Sequence, residues 1–388
     1  MKEGDKMKHG CVPITLLTGY LGSGKTTLIN HILTNENNKK IAVIVNDIGE
    51  VNIDATLIEK SGIVTEKDES LVALSNGCIC CNLKMDLVGQ IIEIIKQDKF
   101  DYIVIEASGI CEPLPIAQTI VTIPEMLVSK SGEDICRLDS VVTVVDALRL
   151  KDEFNCGDSL EKEDLDDEDI EKLIIEQLEF CNIVVLNKVS EVTADELKEI
   201  KAVIKSIQPS AEIIETDYSK VDLDKILDTN IFDFGKTSMS NGWVEALEHE
   251  HDHDHHEHEH ESGEALEYGI ETFVYYSRPP MNRELFYRWL DEKWDKSLIR
   301  TKGMVYFTDE MDTAYMIESA GNSKSLVDTG PWVCAMPEEE QAYILENNPD
   351  IKEAWDDEYK DRMNKIVIIG KNLDKEAIIE KLDSFLDF

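Results

Sequence analysis

The chain has 388 residues, enough for two domains or for one large domain with an appendage. With 42% apolar residues it can build a core, which excludes wholesale disorder. Asp plus Glu number 80 against 39 Lys plus Arg, and a formal net charge of −41 argues against a nucleic-acid partner while suiting cation binding. No apolar run approaches the ~20 residues of a membrane span, and MKEGDKMKHG lacks the ~7–15-residue apolar core of a signal peptide. A cytoplasmic protein with no membrane contact is expected. Nine irregularly spread cysteines then read as thiols rather than a disulfide framework.

The first apolar run, VPITLLTG (12–19), opens a series with IAVIVND (41–47), YIVIEASG (102–109), SVVTVVDA (140–147), NIVVLNK (182–188) and AEIIETD (211–217). Each is too short for a helix and apolar at nearly every position, as strands buried on both faces of a parallel sheet are. Helical patterns such as KTTLINHIL (25–33) and DLVGQIIEIIKQD (86–98) lie between them. This alternation predicts an α/β fold, a doubly wound and mostly parallel sheet.

The first run leads straight into GYLGSGKTT (19–27), which fits G-x-x-x-x-G-K-[ST] through Gly19, Gly24, Lys25 and Thr26. Glycines there, Gly22 included, let backbone N–H groups, Ser23 and Thr27 among them, turn toward phosphate oxygens. Lys25 neutralises β- and γ-phosphate charge, and the Thr26 hydroxyl ligates Mg²⁺. The following helix turns its positive end to the same anion. The bland alternative is a Gly-rich turn with a chance lysine.

Residues 75–83 read SNGCICCNL, with Cys78, Cys80 and Cys81 inside four positions. A redox couple, a metal site and small crowded residues are all open. Neighbours this close disfavour a relaxed disulfide. Thiolates suit a borderline-soft ion such as Zn²⁺, whose tetrahedral site wants about four ligands. Glu50, another side chain or water can supply the fourth. Cys11, Cys111, Cys136, Cys156, Cys181 and Cys334 are scattered and read as core or surface residues.

The strand YIVIEASG ends in Glu106, which can hold a magnesium-bound water, with the Gly109 N–H placed to sense a γ-phosphate. The alternative for Glu106 is an N-cap carboxylate. Residues 151–171 contain eleven acidic residues in 21 positions and read as a solvated loop. NIVVLNK then ends in Asn187-Lys188, the start of N-K-x-D. In that motif Asn meets the base edge, Lys lies along the ring, and Asp accepts both guanine donors. Here Ser190 stands where Asp belongs, and a hydroxyl cannot accept both. Glu191 is adjacent. GTP is the expected nucleotide, with weak discrimination against ATP.

Residues 248–261 alternate seven histidines (His249, His251, His253, His255, His256, His258 and His260) with seven carboxylates. No core can form from them, so the run reads as a flexible linker that either concentrates metal loosely or binds it incidentally. Beyond it the pattern changes. YGIETFVYYS (268–277), LIRTKGMVYFTD (298–309), AYMIESAG (314–321) and KIVIIG (365–370) read as strands, and 281–294 and 374–386 as helices. The expected domains are a nucleotide-binding domain over 1–235, an acidic and His-rich linker over 236–266, and a smaller α+β domain over 267–388.

In order, GYLGSGKTT, VNDIGEVNID (45–54), GCICC (77–81), IEASG (105–109) and EQLEFCNIVVLNK (176–188) resemble the CobW family, a branch of the G3E P-loop GTPases. SRPPMNRELFYRWL (277–290) and IRTKGMVYF (299–307) resemble its C-terminal domain. The resemblance covers nearly the whole chain. It implies a slow GTPase that uses Mg²⁺ and carries a divalent metal, most often zinc, on the C-x-C-C thiols near the nucleotide, for a client metalloprotein. Insertion of cobalt, nickel or iron, or a metal buffer or sensor without useful hydrolysis, stays open beside it. Two departures stand out: the NKxD aspartate is missing, and the family's N-E-F-G-E stretch is Asn46-Asp47-Ile48-Gly49-Glu50 here. The 46–54 region is the expected switch. Oligomeric state is not legible.

Overall fold

The computed structural model describes residues 11–34, 39–45, 71–73, 84–126, 135–155, 167–239, 269–291, 297–320, 323–348, 351–352 and 354–387. The expected switch at 46–54, the cysteine cluster and the histidine run lie outside the described residues. Two compact units emerge, the second taking in Gly242–Phe388.

The first unit is built on seven strands: β1 (Val12–Thr18), β2 (Ile41–Val45), β3 (Leu71–Ala73), β4 (Tyr102–Glu106), β5 (Cys136–Asp146), β6 (Ile183–Asn187) and β7 (Glu212–Glu215). Their order is β3-β2-β4-β1-β5-β6-β7, and every neighbouring pair is parallel. The chain starts in the middle and winds outward both ways, the doubly wound order expected. β1, β2, β4 and β6 are buried at every position, which is why their sequences are apolar runs rather than alternations. Edge strand β7 begins and ends on an exposed glutamate, which blunts an open edge. The helix Lys25–Leu33 buries Leu28, Ile29 and Ile32, each contributing about 1.5–3 kcal/mol of apolar burial.

Register gathers the polar ends of these strands at one rim. Glu106 pairs with Leu17, Thr18 with Thr143, and Asp146 with Asn187. The loop after β1 leaves from the same rim, where the strand order switches direction and α/β sheets bind ligands.

One expectation needs correction. The acidic stretch 151–171 is not a loop throughout, because the helices Ala147–Asn155 and Asp167–Glu179 take its two ends. Ile174, Ile175 and Leu178 are buried and anchor the second helix. In the helix Phe234–Met239, Thr237 is buried and accepts a 3.0 Å bond from Asn182 Nδ2.

The second unit holds β8 (Ile270–Ser277), β9 (Leu298–Phe307), β10 (Glu310–Ala320), β11 (Ser323–Pro331) and β12 (Asn364–Lys371). They form an antiparallel sheet in the order β11-β10-β9-β12-β8. Phe286, on the helix Arg283–Asp291, meets Phe307 and Phe385 edge-to-face at 5.5 and 5.9 Å. The sequence patterns missed β11, SKSLVDTGP, which alternates nothing apolar and pairs only because β10 offers it an edge. They also missed the helix Glu338–Asn347, which buries no residue.

One buried charge organises the first unit away from the rim. The β1–β5 register skips Asp139, and this bulge aims its carboxylate at the segment 228–230. It accepts from Tyr102 Oη (2.7 Å), Arg137 Nη1 (2.5 Å), Thr229 N (2.9 Å) and Asn230 N (2.8 Å). Burial alone would raise its pKa, but these bonds outweigh burial and hold it below the usual carboxylate value. A depressed pKa adds stability above the unfolded value, and that stability is lost as pH falls through the folded one. Asp139→Asn is therefore predicted to lower unfolding stability by about 1–3 kcal/mol at pH 7, with the gap from wild type closing toward acid. Urea unfolding at both pH values checks this, and equal midpoints at pH 7 would contradict it.

Candidate nucleotide site

Residues 19–24 turn from β1 into the helix Lys25–Leu33 on positive backbone angles, with φ of 134° at Gly19, 81° at Gly22 and 115° at Gly24. Side-chain-bearing residues rarely adopt these values. At Gly24 space is also closed, because a Cβ would lie 2.4 Å from Asn187 Nδ2. Gly24 is the helix N-cap and offers no capping side chain, and the helix turns the positive end of its dipole toward the loop. Lys25 is buried and donates from Nζ to Gly19 O (2.7 Å) and Tyr20 O (3.3 Å). Its ammonium is thereby held over the loop. Ser23 Oγ is buried with no hydrogen-bond partner among the described residues, a site a phosphate oxygen or water would satisfy.

Asn187 is built into the same rim. It is 3% exposed, and its amide faces protein at both ends. Nδ2 donates to Ser23 O (2.8 Å), and Oδ1 accepts from Ser219 N (3.0 Å). Ser219 Oγ donates to Gly24 O (3.0 Å). Asn187 thus ties the loop 19–24 to Ser219. Lys188, at φ 61°, reaches Asp146 Oδ2 at 2.5 Å, while Asp146 Oδ1 accepts from Leu148 N and Arg149 N and starts the next helix. Ser190 donates from N (3.1 Å) and Oγ (2.9 Å) to Asp217 Oδ1. Glu191 is exposed.

Glu106 ends β4 fully buried, one strand away from the loop, and the chain continues through Ala107 N to Leu17 O (2.9 Å). Gly109 brings this segment against the loop, since a Cβ there would meet Leu21 N at 2.9 Å. Thr26 is half-buried, and its hydroxyl and the Glu106 carboxylate are both hard oxygen donors, the chemistry magnesium takes. The described residues of 19–27, Glu106, Gly109, Asn187 and Lys188 all belong to this rim.

Cys78, Cys80, Cys81, Glu50 and the seven histidines lie outside the described residues. Among the described residues no group of three or more His, Cys, Asp or Glu is arranged to hold a metal ion. Cys11, Cys111, Cys136, Cys181 and Cys334 stand as thiols, and burial pushes Cys181 and Cys334 up to about 12, which keeps both protonated and inert. Sequence reasoning missed Asp217 and Ser219 because Asp217 was read as a strand end. The polar run TDYSK (216–220) after a parallel strand was the available signal. No helix among the described residues is long and apolar enough to cross a membrane.

Comparison with known proteins matches residues 13–215 to the CobW/HypB/UreG nucleotide-binding domain and 270–386 to the cobalamin synthesis protein cobW C-terminal domain. A protein of Dictyostelium discoideum named zinc-regulated GTPase metalloprotein activator 1 is 35% identical over 383 residues, 95% of this chain and 78% of that one. The zinc chaperone CobW of a Sinorhizobium species is 32% identical over 213 residues, 52% of this chain and 57% of that relative. A crystal structure of Zn(II)-bound YjiA GTPase from E. coli overlays at a TM-score of 0.41 with 21% identity, covering 97% of this chain and 100% of that one.

Asn187→Ala removes both arms of the strut and leaves Ser23 O and Ser219 N without it. Triphosphate affinity is predicted to fall about tenfold to a hundredfold, the equivalent of one or two buried hydrogen bonds. Isothermal titration with a non-hydrolysable GTP analogue measures this, and wild-type affinity would show that the strut does not shape the loop.

Proposed function

The chain belongs to the CobW/HypB/UreG family of P-loop GTPases, and on that footing we propose a GTP-driven metallochaperone. GTP binds along Gly19–Thr27, and its hydrolysis governs a divalent metal, zinc first, held by Cys78, Cys80 and Cys81 with Glu50 as a candidate fourth ligand. A client metalloprotein receives the ion. The names of the two relatives, a zinc-regulated activator and a zinc chaperone, support this reading.

The observation that carries it is the shared rim. Ala73 pairs with Val45, and Val45 pairs with Glu106, so β3 ends on the rung of the buried carboxylate beside the P-loop. Cys78 follows Ala73 by five residues. Thiolates tethered this close can respond to a change at the nucleotide.

The residues divide the chemistry. Lys25 exchanges the Gly19 and Tyr20 carbonyls for β- and γ-phosphate oxygens and stabilises charge that develops on them. Ser23 and the first N–H groups of the helix complete the cradle. Thr26 and Glu106 would hold magnesium, which when bound neutralises phosphate charge. Gly109 stands against the loop, where its N–H can register a γ-phosphate. Lys188 lies along the base, steadied by Asp146. None of these side chains is an evident in-line base, which fits slow turnover. Loss of the γ-phosphate would relax the 46–54 region and loosen the thiolate site so that a client ligand enters. Three protein thiolates with an incomplete fourth position suit transfer better than a closed structural site. The histidine run, His249 to His260, would serve as a weak accessory reservoir.

Two variants test the two halves. Lys25→Ala is expected to cut phosphate release by on the order of 10²-fold or more, read by a colorimetric phosphate assay, and wild-type turnover would remove the P-loop assignment. Separately, Cys78→Ala, Cys80→Ala and Cys81→Ala should each sharply weaken the tight zinc phase in competition with a chelating dye while the circular dichroism spectrum stays unchanged. Unaltered zinc affinity in all three would sink the metal half.

A further inference from the structure

Ser190 occupies the position from which a carboxylate would take both donors of a guanine edge. The structure brings a carboxylate to that position from the end of the neighbouring strand. Asp217, just past β7, presents Oδ1 to Ser190, which donates from its backbone N–H over 3.1 Å and from Oγ over 2.9 Å. Two donors on one oxygen fix the carboxylate plane. Oδ2 takes no donor among the described residues, and Asp217 is only half-buried, so that oxygen is open to a ligand.

The backbone that carries Asp217 is held in a costly shape. Lys220 N closes a turn on Asp217 O at 3.3 Å, and its two central residues, Tyr218 and Ser219, sit at φ of 55° and 53°. Left-handed non-glycine residues persist only where their surroundings over-determine them, and they gather at functional sites. The hold here is the nucleotide loop itself: Ser219 N donates to Asn187 Oδ1, and Ser219 Oγ donates to Gly24 O, each at 3.0 Å. Tyr218 is 77% exposed, so the turn is not shaped to fill a core. With Thr27, His31 and Lys220, Tyr218 lines an open cleft beside the P-loop. Glu191, closer to Ser190 in sequence, is exposed and turns its N–H back to Lys188 O.

We propose that Asp217 selects guanine in this chain. Its carboxylate accepts from N1–H and from the 2-amino group of the base, and Ser190 is a positioning residue that orients it. The proposal rests on the reading of this rim as a guanosine site, and it replaces the weak discrimination expected from Ser190 alone with a firm preference for GTP over ATP. Ser190→Asp would crowd two carboxylates and weaken GTP binding rather than improve it.

Equilibrium binding of GTP, ITP, XTP and ATP to the full chain, its Asp217→Ala, Asp217→Asn and Ser190→Ala variants, separates the outcomes. ITP lacks the 2-amino donor. XTP carries a carbonyl there, which an amide N–H can meet and a carboxylate cannot. Wild type is expected to prefer GTP over both ITP and ATP. Asp217→Ala should lose about tenfold to a hundredfold in GTP affinity, the worth of hydrogen bonds to a charged group, with ATP unchanged. Asp217→Asn should gain XTP relative to GTP, which a misfolded chain cannot do, and Ser190→Ala should narrow the GTP-to-ITP ratio. If wild type prefers GTP and both Asp217 variants keep that ratio, the proposal falls while the guanosine site stands. An equal loss for all four nucleotides in Asp217→Ala, without an XTP gain in Asp217→Asn, would reduce Asp217 to a prop for the turn and overturn it. Wild type binding ATP as tightly as GTP would instead remove the guanosine reading beneath it.

Discussion

The amide of Asn187 is the joint on which the nucleotide face depends. It ends a strand buried at every position, so it cannot move without the sheet, and it is itself nearly inaccessible to water. Its two ends reach two separate segments, the loop after β1 and the turn after β7. A buried amide with both groups satisfied contributes modestly when intact and is costly to break, because each orphaned partner stays desolvated. Such a joint sets geometry more than it adds affinity. It holds the glycine loop, and through Ser219 it holds the left-handed turn at Tyr218 and Ser219. The loop after β1 and the turn after β7 are therefore tied through one amide.

The rim gives that piece its reach. In a parallel sheet every strand delivers its carboxyl end to the same side, so Glu106, Asp146 and Asn187 arrive together from strands far apart in sequence. β3 arrives there too, and the chain that leaves it leads within a few residues to the three thiols. Only a short stretch of sequence thus separates the rim from the thiols proposed to hold the metal. The second unit is assembled by other rules, with an antiparallel sheet and an aromatic centre at Phe286. It holds no cluster of metal-ligating side chains among the described residues.

Much of this was legible before any coordinates. Strands buried on both faces write themselves as apolar runs, so β1, β2, β4, β5, β6 and β7 could be read within a few residues. The P-loop was legible because its chemistry restricts four positions at once. The acidic stretch misled, since charge reads as solvation while the helix is decided by buried Ile174, Ile175 and Leu178 at its far side. β11 was hidden because an edge strand needs only a partner, not a pattern. The tie from Asn187 to the loop and to Ser219 was hidden for a related reason: a motif names a residue type at a spacing, whereas the direction of an amide is set by tertiary neighbours. Asp217 was invisible because the contact that gives it meaning, with Ser190, spans 27 residues.

The central claim is that nucleotide and metal are energetically coupled in this chain. Linkage requires the coupling to be reciprocal: if GTP alters zinc affinity by some factor, zinc alters GTP affinity by the same factor. The direct measurement is zinc affinity of the wild-type chain in three states, with no nucleotide, with GDP, and with a non-hydrolysable GTP analogue plus magnesium. Coupling of ordinary size predicts a difference of roughly fivefold or more between the GTP-analogue and GDP states, with the tighter site in the former. Identical zinc affinity in all three states would contradict it, leaving a GTPase and a thiol cluster that share a chain without sharing a function.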